Sequence, residues 1–304
     1  MAERFPNGQL YADLREVNDH ADGATAATFL RALGVDDPAI PPGAGDRAAL
    51  FRSMLASRRV LVVLDNADDE SQVRQLLPGA GDSAVLVTCR PRLAGLADAA
   101  SVELDLLPEA DGRHMLAAIA GAARLDAEPE ATSELVQLCG RLPLALRIAA
   151  TRLTARRHLM VGELASRLRD ERQRLDLLRF HDLNVRASLA LGYDAVSEAA
   201  RRLLRRLAGL DVPDFAAGVA AMLLDTGQGE AEQRLDELLD ARLIDVTGRD
   251  PAGHVRYRCH DLVRAYAREQ AEADERPGAI RAPLDARAMR TASALESHAQ
   301  AARN

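Results

Sequence analysis

The chain reads as an α/β unit built on a small parallel sheet, followed by a longer, mainly α-helical stretch that carries a two-stranded β-ribbon before its last helix. Three observations predict this. Val60–Leu64 and Ala84–Val87 are unbroken apolar runs of β-formers, too short for isolated helices, and about twenty residues between them leave room for one crossover helix. Aromatic residues make up only 3% of the sequence and Trp is absent, so Leu, Ala and Val must do the packing, which favours helices around a small sheet. Near the end, LIDVTG and HVRYRCH flank RDPAG, the pattern of two strands joined by a turn.

Taken in order, Leu10, Ala12 and Leu14 alternate with polar neighbours after the Pro6-Asn7-Gly8 turn and predict a strand. An Ala-rich helix is expected over 22–33, and a second over 46–55 after the break at PAIPPGAG. The strand from Val60 ends abruptly on Asp65. Asp69 and Gln72 form a capping-box pattern for a crossover helix over 70–77. The run from Ala84 ends on Thr88, Cys89 and Arg90. Two adjacent parallel strands would therefore bring a carboxylate and a cation to the carboxyl edge of a sheet, where open α/β folds bind ligands.

Beyond Arg90, Val102–Leu106 reads as a short strand or extended segment, and 109–121 and 130–139 read as helices. In CGRLPLALRIAATRL, Pro143 sits near the first turn of a new helix, a favoured place for it. Helical sequence runs on to about Leu178. Its many arginines suit a solvated face, and no aromatic residues interleave with them to stack on bases. From Asn184, helices are expected over 185–192, 197–209, 214–225 and 229–242. With the ribbon they outline a winged helix, and Asp261 is the expected cap of the final helix. The implied domains are 1–100, 101–180 and 181–275, with a Pro/Gly-broken tail over 276–304.

Charge and composition exclude several functions. The 304 residues carry a net charge of −7, so bulk electrostatics give no reason to expect nucleic-acid binding. The would-be recognition helix 229–242 sets Glu230, Glu232, Asp236, Glu237 and Asp240 against Arg234 and Arg242, which argues against DNA binding by this segment. Protein partners or self-association are expected instead. Cys89, Cys139 and Cys259 match no metal-ligand spacing, and their odd number fits a reducing cytoplasm. No run approaches a membrane span. No nucleophile has a matching base motif nearby, so a metabolic enzyme finds no support. All 39 basic residues are Arg, so a GxxxxGK[ST] phosphate loop is impossible in this sequence.

The apolar run ending at Asp65, VLVTCR ending at Arg90, GRLPLA around Pro143, and CHDL at 259–262 stand in the order found in NB-ARC nucleotide-binding proteins. Those belong to the STAND class of signal-transduction ATPases. Over about residues 5–273, FPNGQLYADLRE, VLVVLDNADD and HDLVRAYA resemble the actinobacterial antibiotic regulatory proteins of the SARP type. The resemblance implies a partial P-loop-type parallel sheet, then a helical and a winged-helix domain. It implies a nucleotide switch (ADP/ATP with Mg²⁺) in transcriptional control of secondary metabolism.

Residue by residue, Asp65 resembles the carboxylate that holds Mg²⁺, and Asn66 stands where a second acid would polarise water, so hydrolysis should be slow or absent. Thr88 and Arg90 resemble the γ-phosphate sensor, Pro143 the residue packed on adenine, and His260 the histidine that contacts the ADP β-phosphate. The same residues admit plainer readings: a strand-end turn for Asp65, a surface cluster for Arg90 with Arg92, and a structural His260. The family's phosphate loop would precede Met1. A fragment, a start lying further upstream, a degenerate homologue and a strand supplied by a separate chain are all compatible with that. Nucleotide binding is expected to be weak, and a nucleotide-independent scaffold or a DNA-binding winged helix is the alternative.

Overall fold

The computed structural model describes residues 3–15, 23–79, 81–96, 99–210 and 212–274, so the tail over 276–304 lies outside the described residues. The chain divides into two compact units, Met1–Val102 and Glu103–Asn304.

The first unit holds β1 (Gln9–Asp13), α1 (Ala24–Ala32), α2 (Ala44–Ala56), β2 (Leu61–Ala67), α3 (Glu70–Arg74) and β3 (Ala84–Cys89). The three strands form a parallel sheet in the order β1-β2-β3, with Asp13 opposite Asp65 and Leu64 opposite Val87. The central strand behaves as an apolar run should: Val62 and Leu64 are fully buried against Phe29, Phe51 and Leu55 of the flanking helices. By contrast β3 is an edge, with Leu86 52% exposed although its sequence repeats the same device. The crossover helix is shorter than 70–77. Asp69 caps it by accepting from the Ser71 and Gln72 amides, but Gln72 reaches back to the Asp68 amide rather than to that of Asp69. Val102–Leu106 is extended without strand pairing, and Leu104 is 93% exposed.

The second unit begins with α4 (Glu109–Ala120), α5 (Ala122–Asp126), α6 (Pro129–Leu138), α7 (Pro143–Ala155), α8 (Val161–Leu168) and α9 (Glu171–Leu177). A short hairpin follows, β4 (Arg179–Phe180) and β5 (Leu183–Asn184), in the stretch between the expected helix end near Leu178 and the expected helix start at 185. Then come α10 (Val185–Ala195), α11 (Glu198–Ala208), β6 (Phe215–Ala216), α12 (Ala217–Leu224), α13 (Gln228–Asp240), β7 (Ile244–Arg249), β8 (Val255–Cys259) and α14 (Asp261–Asp274). The ribbon gains a third strand, because β6 pairs antiparallel with β8 in the order β6-β8-β7. One continuous Leu/Ala core runs from Leu116 to Ala267, so the boundary drawn at residue 180 crosses a single hydrophobic cluster.

Arginine and glutamate side chains tie the helices of this unit together. Glu128 accepts the Val161 and Gly162 amides at 2.9 Å each, capping α8 from outside the helix. Arg124 donates to the carbonyls of Leu153, Arg156 and Leu159, closing the end of α7. Arg186 on α10 forks onto Glu269 of α14 at 2.8 and 3.0 Å and also holds Asp176 of α9 at 2.7 Å. These contacts keep its guanidinium pKa well above the usual value, chiefly through the hydrogen bond to Glu269.

Candidate functional site

At the carboxyl edge of the sheet, β2 bulges between Leu64 and Ala67, and Asn66 adopts a left-handed backbone (φ 58°), a conformation Asn tolerates better than most residues. The bulge turns the Asn66 amide onto the Thr88 hydroxyl oxygen at 3.0 Å. The Thr88 hydroxyl in turn donates to Asp65 Oδ1, while the Tyr11 hydroxyl donates to Asp65 Oδ2 at 3.2 Å. Asp13, the register partner of Asp65, accepts the Arg15 amide and the Asn66 side chain, which together hold its carboxyl below the usual range. Partial burial and the nearby Arg15 push the Arg90 pKa down, while Asp68 opposes them. Asp65, Asn66 and Thr88 are thus joined in one hydrogen-bonded cluster, with two arginines at its margin.

Does this edge suit a Mg²⁺-nucleotide? Mg²⁺ takes one or two carboxylates and fills its shell with water and phosphate oxygens, so a lone Asp can serve. Here each Asp65 oxygen already accepts a hydroxyl proton, and no group of three His, Cys, Asp or Glu able to hold a metal occurs among the described residues. Lys is absent, so the cationic side chains available to a phosphate are arginines, beside whatever backbone amides and hydroxyls it meets. In this arrangement the Asp65 carboxylate is engaged by Thr88 and Tyr11 rather than turned to an open coordination position.

In the second unit, α6 ends in a Schellman arrangement: Gly140 (φ 61°) and Arg141 (φ 56°) are both left-handed, and the Arg141 amide reaches back to the Val136 carbonyl. Pro143 then opens α7 and is exposed. His260 meets this loop. Its Nδ1 accepts the Leu262 amide at 3.2 Å, so Nε2 carries the proton and donates to the Gly140 carbonyl at 2.8 Å. The ring lies against the Gly140 α-carbon so closely that a Cβ there would stand 2.2 Å from His260 Cε1. Burial pushes the imidazole pKa down, which favours this neutral tautomer.

The cap of α14 is therefore His260, not Asp261. The His260 carbonyl accepts the Arg264 amide and its ring accepts the Leu262 amide, whereas the Asp261 carboxylate pairs with the Arg264 side chain at 2.9 Å. On α13, Glu230, Glu232, Asp236 and Asp240 are exposed, while Arg234 is tied to Glu237. That acidic face is the one predicted from the sequence.

Several participants had gone unnoticed. Tyr11 and Asp13 could have been found by pairing the first strand with the second in parallel register. Gly140 could have been found as the residue that must turn left-handed just after a helix. Arg258 and Arg264, described below, carry no pattern that sequence alone reveals.

Comparison with known proteins agrees with the winged-helix outline. A family described as a winged helix-turn-helix domain matches residues 196–272. The chain is 46% identical over 275 residues to Regulatory protein AfsR of Streptomyces griseus, and 46% identical over 276 residues to Regulatory protein AfsR of Streptomyces coelicolor. Each alignment covers 90% of this chain but only 28% and 27% of those relatives, so the chain spans little more than a quarter of their length. A solved structure of the Aeropyrum pernix Orc1 protein in complex with DNA aligns over 86% of this chain and 78% of that one. With a TM-score of 0.39 and 15% identity, that likeness carries no argument. The chain is thus similar to regulatory proteins and contains a winged-helix unit in a mixed, mostly helical α/β fold. No helix among the described residues is long and apolar enough to cross a membrane.

Proposed function

We propose that this segment is the contact-making part of a transcriptional regulator of secondary metabolism, with its winged-helix unit latched to the helical bundle and its contacts made mainly to protein. The observation that carries this reading is the His260 bond to Gly140, which joins the start of α14 to the loop before α7. An exposed acidic face on α13 supports protein over phosphate as the partner. Replacing His260 by Ala should raise hydrogen exchange at both the 140–143 loop and the first turn of α14, and should change transcript output from the full-length regulator. Unchanged exchange at both places would sink the latch.

The nucleotide switch implied by the NB-ARC resemblance would use Asp65 toward Mg²⁺, Thr88 and Arg90 toward phosphate, and Pro143 and His260 toward ADP. Among the described residues the phosphates would be met mainly by arginine side chains, each charge-assisted contact worth about 1.5–3 kcal/mol, so these residues by themselves are expected to bind weakly. Calorimetry with Mg²⁺ and ADP should give a constant weaker than micromolar; a sub-micromolar one would restore the switch as the primary reading.

The winged helix-turn-helix match favours one further reading, DNA contact by the second unit. It predicts a duplex-binding constant that falls steeply with salt, whereas the acidic α13 face predicts little binding at physiological salt. A gel-shift series across salt concentrations separates the two.

A further inference from the structure

A cleft of about 420 Å³ opens beside the latch, lined by Val212, Pro213, Arg258, Cys259, Asp261 and Arg264. We propose that this cleft binds the phosphate group of a phosphorylated small molecule.

The charges in the cleft decide its preference. Arg258, at the end of β8, is exposed and makes no ion pair among the described residues. Its strand neighbour Arg256 differs: that guanidinium is taken up by Asp214. Arg264, one turn into α14, is ion-paired among the described residues only with Asp261. The Cys259 thiol is pushed up to about 12 by burial, so it stays neutral and adds no anion. Two guanidinium groups therefore face one carboxylate, leaving the lining net positive in a chain whose total charge is −7.

The Asp245 carboxylate of β7 lies within electrostatic reach of Cys259 and His260 and opposes the cations of the lining. Against it stands the amino-terminal end of the fourteen-residue helix α14, whose partial positive charge points at the same place. A planar guanidinium can fork onto two phosphate oxygens where an ammonium acts as a point charge, and two guanidinium groups can grip separate oxygens. Val212 and Pro213 add apolar surface to the same lining, room for the organic part of a phosphate ester rather than for a bare ion.

The probe is inorganic pyrophosphate, titrated into the whole chain by calorimetry at low salt, with a phosphorylated sugar and a short DNA duplex as further arms. Binding to the intact chain should weaken about tenfold in Arg258→Ala and vanish in the Arg258→Ala, Arg264→Ala double variant. Asp261→Asn should tighten it, because the competing carboxylate is gone. Arg147→Ala, an exposed arginine on α7, should leave it unchanged. Should the double variant fail to melt cooperatively, Arg258→Gln alone carries the test, since that side chain is exposed. No heat with pyrophosphate at about millimolar concentrations would overturn the proposal. So would an equal loss in Arg147→Ala, which would mean diffuse attraction rather than a site. Displacement of pyrophosphate by duplex through the same two arginines would overturn it in favour of DNA backbone contact.

Discussion

The two units solve the problem of burial differently. The sheet unit relies on a single covered strand, β2, between two thinly covered neighbours; Tyr11 on β1 and Leu86 on β3 face solvent. The helical and winged unit buries Leu and Ala in one continuous core and fastens its helices with arginines whose partners lie far away in sequence. The lesson is that similar hydrophobic content can give a unit that is closed on itself or one with an open edge. What separates them here is whether each strand or helix finds cover on both sides.

The comparison breaks if the chain unfolds in one step. Urea unfolding should show two transitions, the sheet unit first. Leu64→Ala, which empties a fully buried site in β2, should lower only the first by about 3 kcal/mol, and Leu146→Ala should lower only the second by a similar amount. Coincident shifts would mean that the two units unfold as one. A smaller effect sharpens the contrast. Arg186→Ala, which releases Glu269 and Asp176 together, should cost the second transition about 1–2 kcal/mol, and Arg186→Lys should recover only part, because an ammonium cannot fork.

Acid should weaken the second unit in a defined window. The folded-state pKa of His260 lies below its unfolded value of 6.5, so the unfolded chain takes up the proton first. The contribution of the neutral ring is complete above pH 6.5 and is lost as pH falls below it, at no more than about 1.4 kcal/mol per pH unit. In His260→Gln, stability measured between pH 6.5 and 5 should be flat where the parent declines. The smallest effect belongs to the open edge. Leu86→Thr should change stability by less than about 0.5 kcal/mol, yet reduce self-association in sedimentation experiments.

Much of this architecture was legible because it depends on local signals. An apolar run ending in Asp, a Pro at a helix start and a turn-forming RDPAG each fix an element without help from distant residues. The misreadings have tertiary causes. Phe215–Ala216 becomes a strand only because β8 lies beside it; the hairpin at 179–184, unassigned in the sequence, likewise forms by pairing Arg179 with Asn184 around the left-handed His181 (φ 52°). Asp261 looked like the cap because acids commonly are; the ring that replaced it is oriented by Gly140, which no local pattern announces. The exposure of β3 was hidden for the same reason, since its sequence matches that of the covered β2. At the sheet edge, Asp65, Asn66 and Thr88 were read as a group and are found as one, but Tyr11 and Asp13 join them only through strand register.

The bond between His260 and Gly140 joins residues 120 positions apart. On a ribosome adding about 5–20 residues per second, the loop before α7 would appear roughly 6–24 s before the imidazole that holds it. Throughout that interval the Gly140 carbonyl has only water to accept from, and the helices up to α9 must keep the loop in shape unaided. The latch is therefore a late event in the life of the chain, and every nascent molecule passes through an unlatched stage first.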